Sequence, residues 1–280
     1  MPIRYHAPIR RIARAAWHHP VVERVWQSAT GKLLRRAAGL PITERAREVT
    51  RIEGILVCTD KYEQTLRFFV GNRHDLVQAH HLRGEFYEAE ELDIIRRYFR
   101  QNGVFVDIGA NVGNHTIFAS KILNAQKVIP FELHPDALAL LTTNIALNNC
   151  QNVDESFLGY GVSSSGEPLS PQRASYGNNL AGVRFKPRGS GDAQGFPTIC
   201  ADVALNNIWV DFIKIDIEGM EMDAVKSLEQ TIKRCRPTIF VEIDNDNHEL
   251  FVTWCEEHKY SVMETFKRYK WNVNYLVMPS

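Results

Sequence analysis

The chain has 280 residues, 44% of them apolar and 24% charged, which supports one substantial α/β domain with an appendage. Lys plus Arg and Asp plus Glu number 33 each, so the formal charge is zero, and a general nucleic-acid binder with a broad positive face is excluded. Five cysteines without a CxxC pair read as thiols of a reduced, cytoplasmic protein, and no apolar run suits a signal peptide or a bilayer span.

Residues 1–50 read as a basic helical extension. Pro20 suits a first helical turn, Val22, Val25, Trp26, Ala29 and Leu33 share a face, and Gly39-Leu40-Pro41 ends the pattern. Through Arg47, ten basic residues meet only Glu23 and Glu44, so the rest of the chain carries the balancing negative charge. Two readings stand here: a docking helix with a solvated polar face, and a contact with an anionic surface such as a membrane interface or an acidic glycan carrier. Residues 51–84 form a cap region, in which the apolar runs Ile52 to Cys58 and Leu66 to Val70 predict a hairpin. A third region, residues 85–280, opens with a helix over Glu85 to Arg100 that places Phe86, Ala89, Leu92, Ile95 and Phe99 on one side.

Val104 to Ile108 then reads as a strand running into a glycine loop. Gly109 and Gly113 let the backbone turn tightly and approach a ligand, and the helix from Asn114 presents free N–H groups. Asp107 ends the strand just ahead of the glycines. A dinucleotide loop of the GxGxxG type needs no acid there, whereas a cationic cofactor such as S-adenosylmethionine does. Lys127 to Phe131 predicts the next strand, and Glu132 at its tip can accept both ribose hydroxyls of an adenosine. Pro135 opens a helix over Asp136 to Leu147.

Asn152 to Ser163 reads as a third extended run. The polar stretch that follows, to about Gln194, reads equally as a substrate lid or a surface loop, with Val183 to Phe185 in a small hairpin. Phe212 to Asp216 is the next strand, followed by a helix from Glu221 to Arg234, a strand from Thr238 to Ile243, a helix from Asn247 to His258, and strands Tyr260 to Thr265 and Val273 to Met278. The alternation predicts a mainly parallel, doubly wound sheet with one antiparallel strand in the final pair. Ligands bind outside the carboxyl ends of such strands, so Asp216, Glu218 and Glu242 face the crevice as candidate bases, with Lys214 on the same side as Asp216.

The motifs Val106 to Thr116, Phe131-Glu132 with Asn144 and Asn148, Lys214 to Glu221, Pro237 to Glu242 and Asn274 to Val277 together resemble the FkbM family of S-adenosylmethionine-dependent O-methyltransferases. The resemblance implies a seven-stranded class I methyltransferase (Rossmann-like) fold with the last strand pair reversed. It also implies methyl transfer to a hydroxyl of a sugar, glycoconjugate or secondary metabolite. Asp107, Gly109, Ala110, Asn111, Gly113, Asn114, Thr116, Glu132, Leu133 and Gly161 are the residues assigned to the cofactor. Asn111 departs from the middle glycine of many methyltransferase loops. No metal site is predicted; Mg2+ on Asp216, Glu242 and Asn245 is the disfavoured variant. The alternatives from other classes are a nicotinamide-dependent oxidoreductase and a non-catalytic binding module. Partners reduce to a small-molecule or glycan acceptor, with no nucleic acid and a peripheral anionic membrane contact through the N-terminal residues.

Overall fold

The computed structural model describes residues 54–172, 180–189 and 195–280. The basic extension of residues 1–50 lies outside them. The described chain opens with a hairpin in which β1 (Ile55–Thr59) runs antiparallel to β2 (Leu66–Val70). Leu66, Phe68 and Val70 alternate onto the inner face and are buried, while Ile55 and Leu56 on β1 stay half exposed. A short helix that the apolar pattern does not announce, α1 (Leu76–Leu82), follows it, capped by Asp75, which accepts from the Gln78 N–H at 3.0 Å.

Helix α2 spans Ala89–Tyr98 and so begins later than the apolar periodicity predicts. The cause is Asn114. Its side chain accepts from the Tyr87 N–H at 2.8 Å and donates to the Tyr87 carbonyl at 2.9 Å, which removes both groups from helical bonding. Glu88 then takes a left-handed conformation, φ 60° and ψ 46°, before the helix starts.

The centre is one sheet of six strands. β3 (Val104–Ile108), helix α3 (Asn114–Lys121), β4 (Lys127–Phe131) and helix α4 (Pro135–Leu147) make the first two crossovers. Two small sheets come next: β5 (Gly161–Val162) pairs with β8 (Thr198–Ile199), and β6 (Leu169–Pro171) with β7 (Phe185–Pro187). After a short helix α5 (Ala201–Ala204) the main sheet resumes with β9 (Phe212–Ile215), helices α6 (Glu221–Ser227) and α7 (Glu229–Cys235), and β10 (Thr238–Asp244). Helix α8 (His248–His258), β11 (Tyr260–Phe266) and β12 (Asn272–Pro279) complete the fold.

The strand order is β11-β12-β10-β9-β3-β4. Neighbours β4, β3, β9 and β10 are parallel, and β12 runs antiparallel to both β10 and β11, between which it inserts. Alternate residues bury opposite faces: Phe105, Phe212, Phe240 and Leu276 on one, Val106, Ile213, Val241 and Val277 on the other.

Two predicted elements are corrected. Among the described residues the main sheet has six strands, not seven, because the extended run Asn152 to Ser163 gives it only the isolated bridges Val128↔Val153 and Glu132↔Leu158 and ends in β5 of a small separate sheet. Between them Asp154 accepts from the Ser156 N–H at 3.1 Å and bends Glu155–Phe157 into a 3-10 turn, which interrupts the ladder. The helix expected over Glu221 to Arg234 is two helices that meet at Leu228. Asp202 caps the second, accepting from the Gln230 and Thr231 N–H groups at 2.8 and 2.7 Å.

Candidate active site

Three strand ends, β3, β4 and β9, meet at one edge of the sheet. Gly109 carries φ 80°, and a Cβ placed on it would lie 1.9 Å from the Asp216 carbonyl oxygen, so only glycine lets the loop after β3 pass the end of β9. The Gly109 and Ala110 N–H groups both donate to the Phe131 carbonyl at 3.0 Å, which ties the same loop to β4. Asn111 and Gly113 also take positive φ, 49° and 97°. Asn tolerates that region better than most side chains, so the missing middle glycine leaves the turn intact.

Beside this loop runs a cleft of about 710 Å3, counted to its open mouth. Gly109, Asn111, Glu132, Leu133 and Gly161 line one side, and Asp216, Glu218 and Met220 the other. The described part of the polar stretch after Ser163 supplies a further wall through Leu169, Leu180, Val183 and Phe185. Glu132 is fixed by backbone: Oε2 accepts from the Asn111 N–H at 2.8 Å, and Oε1 from Leu133 and His134 at 2.8 and 2.7 Å. Burial nonetheless raises its pKa, against those three bonds.

The other residues assigned to the cofactor stand behind this wall. Asp107 is fully buried, with Oδ2 accepting from Thr116 Oγ1 at 2.6 Å and Oδ1 3.3 Å from Lys214 Nζ. Asn114 is engaged with Tyr87 and with His81 Nε2, 3.2 Å away. Ala110 packs into the core, and Gly113 lies against Leu141.

Acids crowd the opposite side. Asp216 is on the cleft and one-third exposed, with Oδ2 3.5 Å from Lys214 Nζ. Lys214 also donates to the Gly109 carbonyl at 2.8 Å. Burial alone would depress this ammonium, yet Asp107, Asp216 and Glu88 hold it up at about 12. Glu218 lies 3.6 Å from Arg184, which also donates to Asp244 at 3.0 Å. Burial first, then Asp216, pushes Glu218 up to about 7. Burial, then Asp216, Glu88, Glu218 and Glu221, pushes Glu242 up to about 10. Asp216 is thus the common neighbour of cleft and acid cluster. Asn245 directs its amide to the Lys270 carbonyl at 2.8 Å, and among the described residues no three His, Cys, Asp or Glu groups converge as metal ligands.

Sequence reasoning misses Glu88, Tyr87, Arg184 and Tyr269 here. Glu88 falls inside a helical pattern, and Arg184 inside a polar stretch without periodicity. The His115 imidazole, at the start of α3, is almost wholly buried, with Nε2 3.9 Å from Glu88 Oε2.

The sequence matches the family described as Methyltransferase FkbM domain over residues 107–262. No curated protein matches the chain. Among solved structures, an FkbM methyltransferase from Methylobacillus flagellatus KT is similar at 16% identity and TM-score 0.46, over 64% of this chain and 44% of that one. The chain therefore spans less than half of that protein's length. M. jannaschii TYW2 in complex with AdoMet is similar at 15% identity and TM-score 0.44, over 83% and 90% of the two chains. A putative methyltransferase from Streptococcus mutans in complex with SAH is similar at 12% identity and TM-score 0.43, over 68% and 96%.

Proposed function

Because the chain belongs to the FkbM methyltransferase family, we propose that it moves a methyl group from S-adenosylmethionine to a hydroxyl of a sugar, glycoconjugate or secondary metabolite. The observation that carries the reading is the position of Asp216, which is both a wall of the cleft and a charge neighbour of Glu88, Glu218, Glu221 and Glu242. One side of Asp216 suits a cofactor and the other a hydroxyl acceptor.

The cleft fits the cofactor's chemistry. Gly109 and Gly161 on its wall offer backbone without a Cβ, and Glu132 offers carboxylate lone pairs to ribose hydroxyls. When bound, the cofactor supplies an electrophilic methyl on a sulfonium. The chain's own residues hold the acceptor in line and accept its proton. Alignment of the oxygen is the larger part of the task, since fixing two reactants converts a bimolecular step into a unimolecular one. Asp216, Glu218 and Glu242 form the acceptor-facing set, and Asp216, 3.5 Å from Lys214, accepts a hydrogen bond from the hydroxyl it orients.

In the same reading the protein works in the cytoplasm, where basic residues 1–50 contact an anionic membrane surface. Among the described residues no helix is long and apolar enough to cross a membrane. Cosedimentation of the full chain with anionic vesicles at low salt tests that contact; recovery of the protein in the supernatant overturns it. Calorimetric titration with S-adenosylmethionine and its demethylated product tests the cofactor, and absence of binding removes the whole reading. Incubation of a cell extract with methyl-labelled cofactor, followed by mass analysis, then identifies the acceptor; label on nitrogen or carbon in place of oxygen overturns the hydroxyl assignment.

A further inference from the structure

The stretch from Leu180 to Phe185 is a wall of the cleft, and it is fastened at two points. Leu180, Val183 and Phe185 line the cleft themselves. At the first point the Leu180 N–H donates to Asp75 Oδ2 at 2.9 Å, while Oδ1 of the same carboxylate caps α1. At the second point Arg184 reaches two strand ends. Its Nη2 donates to Asp244 Oδ2 at 3.0 Å, on the last residue of β10, and lies 3.6 Å from Glu218 Oε2 in the turn after β9. A Cβ placed on Gly219 would lie 3.4 Å from Arg184 Nη1, so the guanidinium packs directly on that turn.

The two fastenings differ in what water can do to them. Asp75 is fully buried, and its bond to Leu180 cannot be exchanged for water without disturbing the cap of α1. The Arg184 side chain is 44% exposed, so solvent and salt reach its ion pairs and weaken them. The Arg184 end therefore yields first. Its place in the chain gives that yielding a consequence. Val183 precedes Arg184 and Phe185 follows it, and both face the cleft, so the guanidinium cannot leave its carboxylates without moving the wall. Below the wall Phe185 meets Phe196 edge-on at 5.8 Å and, with Met220, packs against Leu133 and Leu169. The Arg184 carbonyl accepts from the Gln172 N–H at 2.8 Å, and the Arg188 N–H donates to the Pro168 carbonyl at 3.0 Å.

We propose that Arg184 is a positioning residue, a clasp that holds the Leu180–Phe185 wall against a ligand in the cleft, and that its release sets how fast the demethylated cofactor leaves. The identity of that ligand rests on the methyl-transfer reading above; the clasp itself rests on the contacts of Arg184. No bond to the ligand is required of the guanidinium, because both of its carboxylate partners belong to the protein.

Two measurements on the full chain test this. Without ligand, hydrogen exchange should be faster in Arg184→Met than in wild type at the Gln172 and Arg188 amides and unchanged in β3 and β9. The melting temperature should stay near that of wild type, since only a half-exposed ion pair is lost. With S-adenosylhomocysteine, stopped-flow dissociation from Arg184→Met should be about two- to five-fold faster at low salt, the worth of such a pair. Asp244→Asn should match it, the double variant should be no faster than either single one, and Arg184→Lys should recover most of the difference. Added NaCl should speed dissociation from wild type and leave Arg184→Met unaffected. This ligand has no net charge at neutral pH, so the salt acts on the clasp. Wild-type exchange in Arg184→Met overturns the clasp, and a wild-type dissociation rate overturns its control of release. A wild-type protein that binds no S-adenosylhomocysteine overturns the methyl-transfer reading and the claim on product release, while exchange still decides the clasp.

Discussion

Asp107 and Lys214 face each other across adjacent parallel strands, Oδ1 to Nζ 3.3 Å, and water reaches almost nothing of either side chain. The acid that ends β3 therefore fastens the glycine loop from below, through a lysine that also holds the Gly109 carbonyl and approaches Asp216. Removing the lysine would leave a carboxylate buried without its charge partner.

Lys214→Met should cost about 3–5 kcal/mol of folding stability, the usual penalty for breaking a buried pair from one side. Urea denaturation of the variant measures it. A loss under about 1 kcal/mol would show that Asp107 is relieved by protonation or water instead.

Glu132→Ala should weaken S-adenosylmethionine by roughly 1.5–3 kcal/mol, the worth of hydrogen bonds to a charged group. The three backbone N–H groups that Glu132 now receives lie beside the cleft, where water can replace it. Calorimetric titration decides, and unchanged affinity would free Glu132 from any part in cofactor binding.

Gly109→Ala meets two costs at once, a Cβ 1.9 Å from the Asp216 oxygen and a left-handed φ, together about 2–5 kcal/mol. Gly166→Ala is the control: its φ is 68°, but nothing lies within 4 Å of the added carbon, so only the conformational cost of about 1–2 kcal/mol remains. Thermal melts of the two variants should separate clearly. Equal melting temperatures would mean that the loop after β3 can give way.

Stability should fall as pH rises from about 6.5 toward 9. Glu88 at about 8, Glu242 at about 10, and Glu155, Glu218 and Glu221 at about 7 all sit above the ordinary carboxylate range because of burial. The folded state thus holds protons that the unfolded chain has released, and that advantage fades as pH climbs through the folded values. His81 and His115 act the other way: depressed by burial to about 4 and about 3, they take up protons first in the unfolded state, so this pair offsets part of the carboxyl contribution as pH drops below 6.5. Melting temperatures across pH 6.5 to 9 test the alkaline limb, and a flat profile would show that the carboxyl shifts are not real.

The strands that build the cleft were legible because each is a short apolar run ending in a charged residue or a glycine. Glu132 and Asp216 were legible for the same reason, since the carboxyl ends of such strands face the crevice. Lys214 could be placed beside Asp216, two residues on, but its pairing with Asp107 depends on the register of β3 against β9, which no local pattern carries. Glu88 was invisible because its conformation is dictated by Asn114, 26 residues later. The absent seventh strand and the split helix have the same kind of cause. Asp154 and Asp202 are single side chains that outweigh the periodicity around them by offering backbone N–H groups a different acceptor.

The segment from Tyr87 to Glu91 is bonded on one flank to the helix behind the glycine loop and on the other to the turn between β11 and β12. Fraying at either flank alone leaves the other bond set in place, so this stretch opens only when both yield. Its opening is therefore coupled to that of both flanks, although it lies outside every strand. The stretch is consequently a preformed shape, and a ligand that meets it spends little of its binding energy on ordering it.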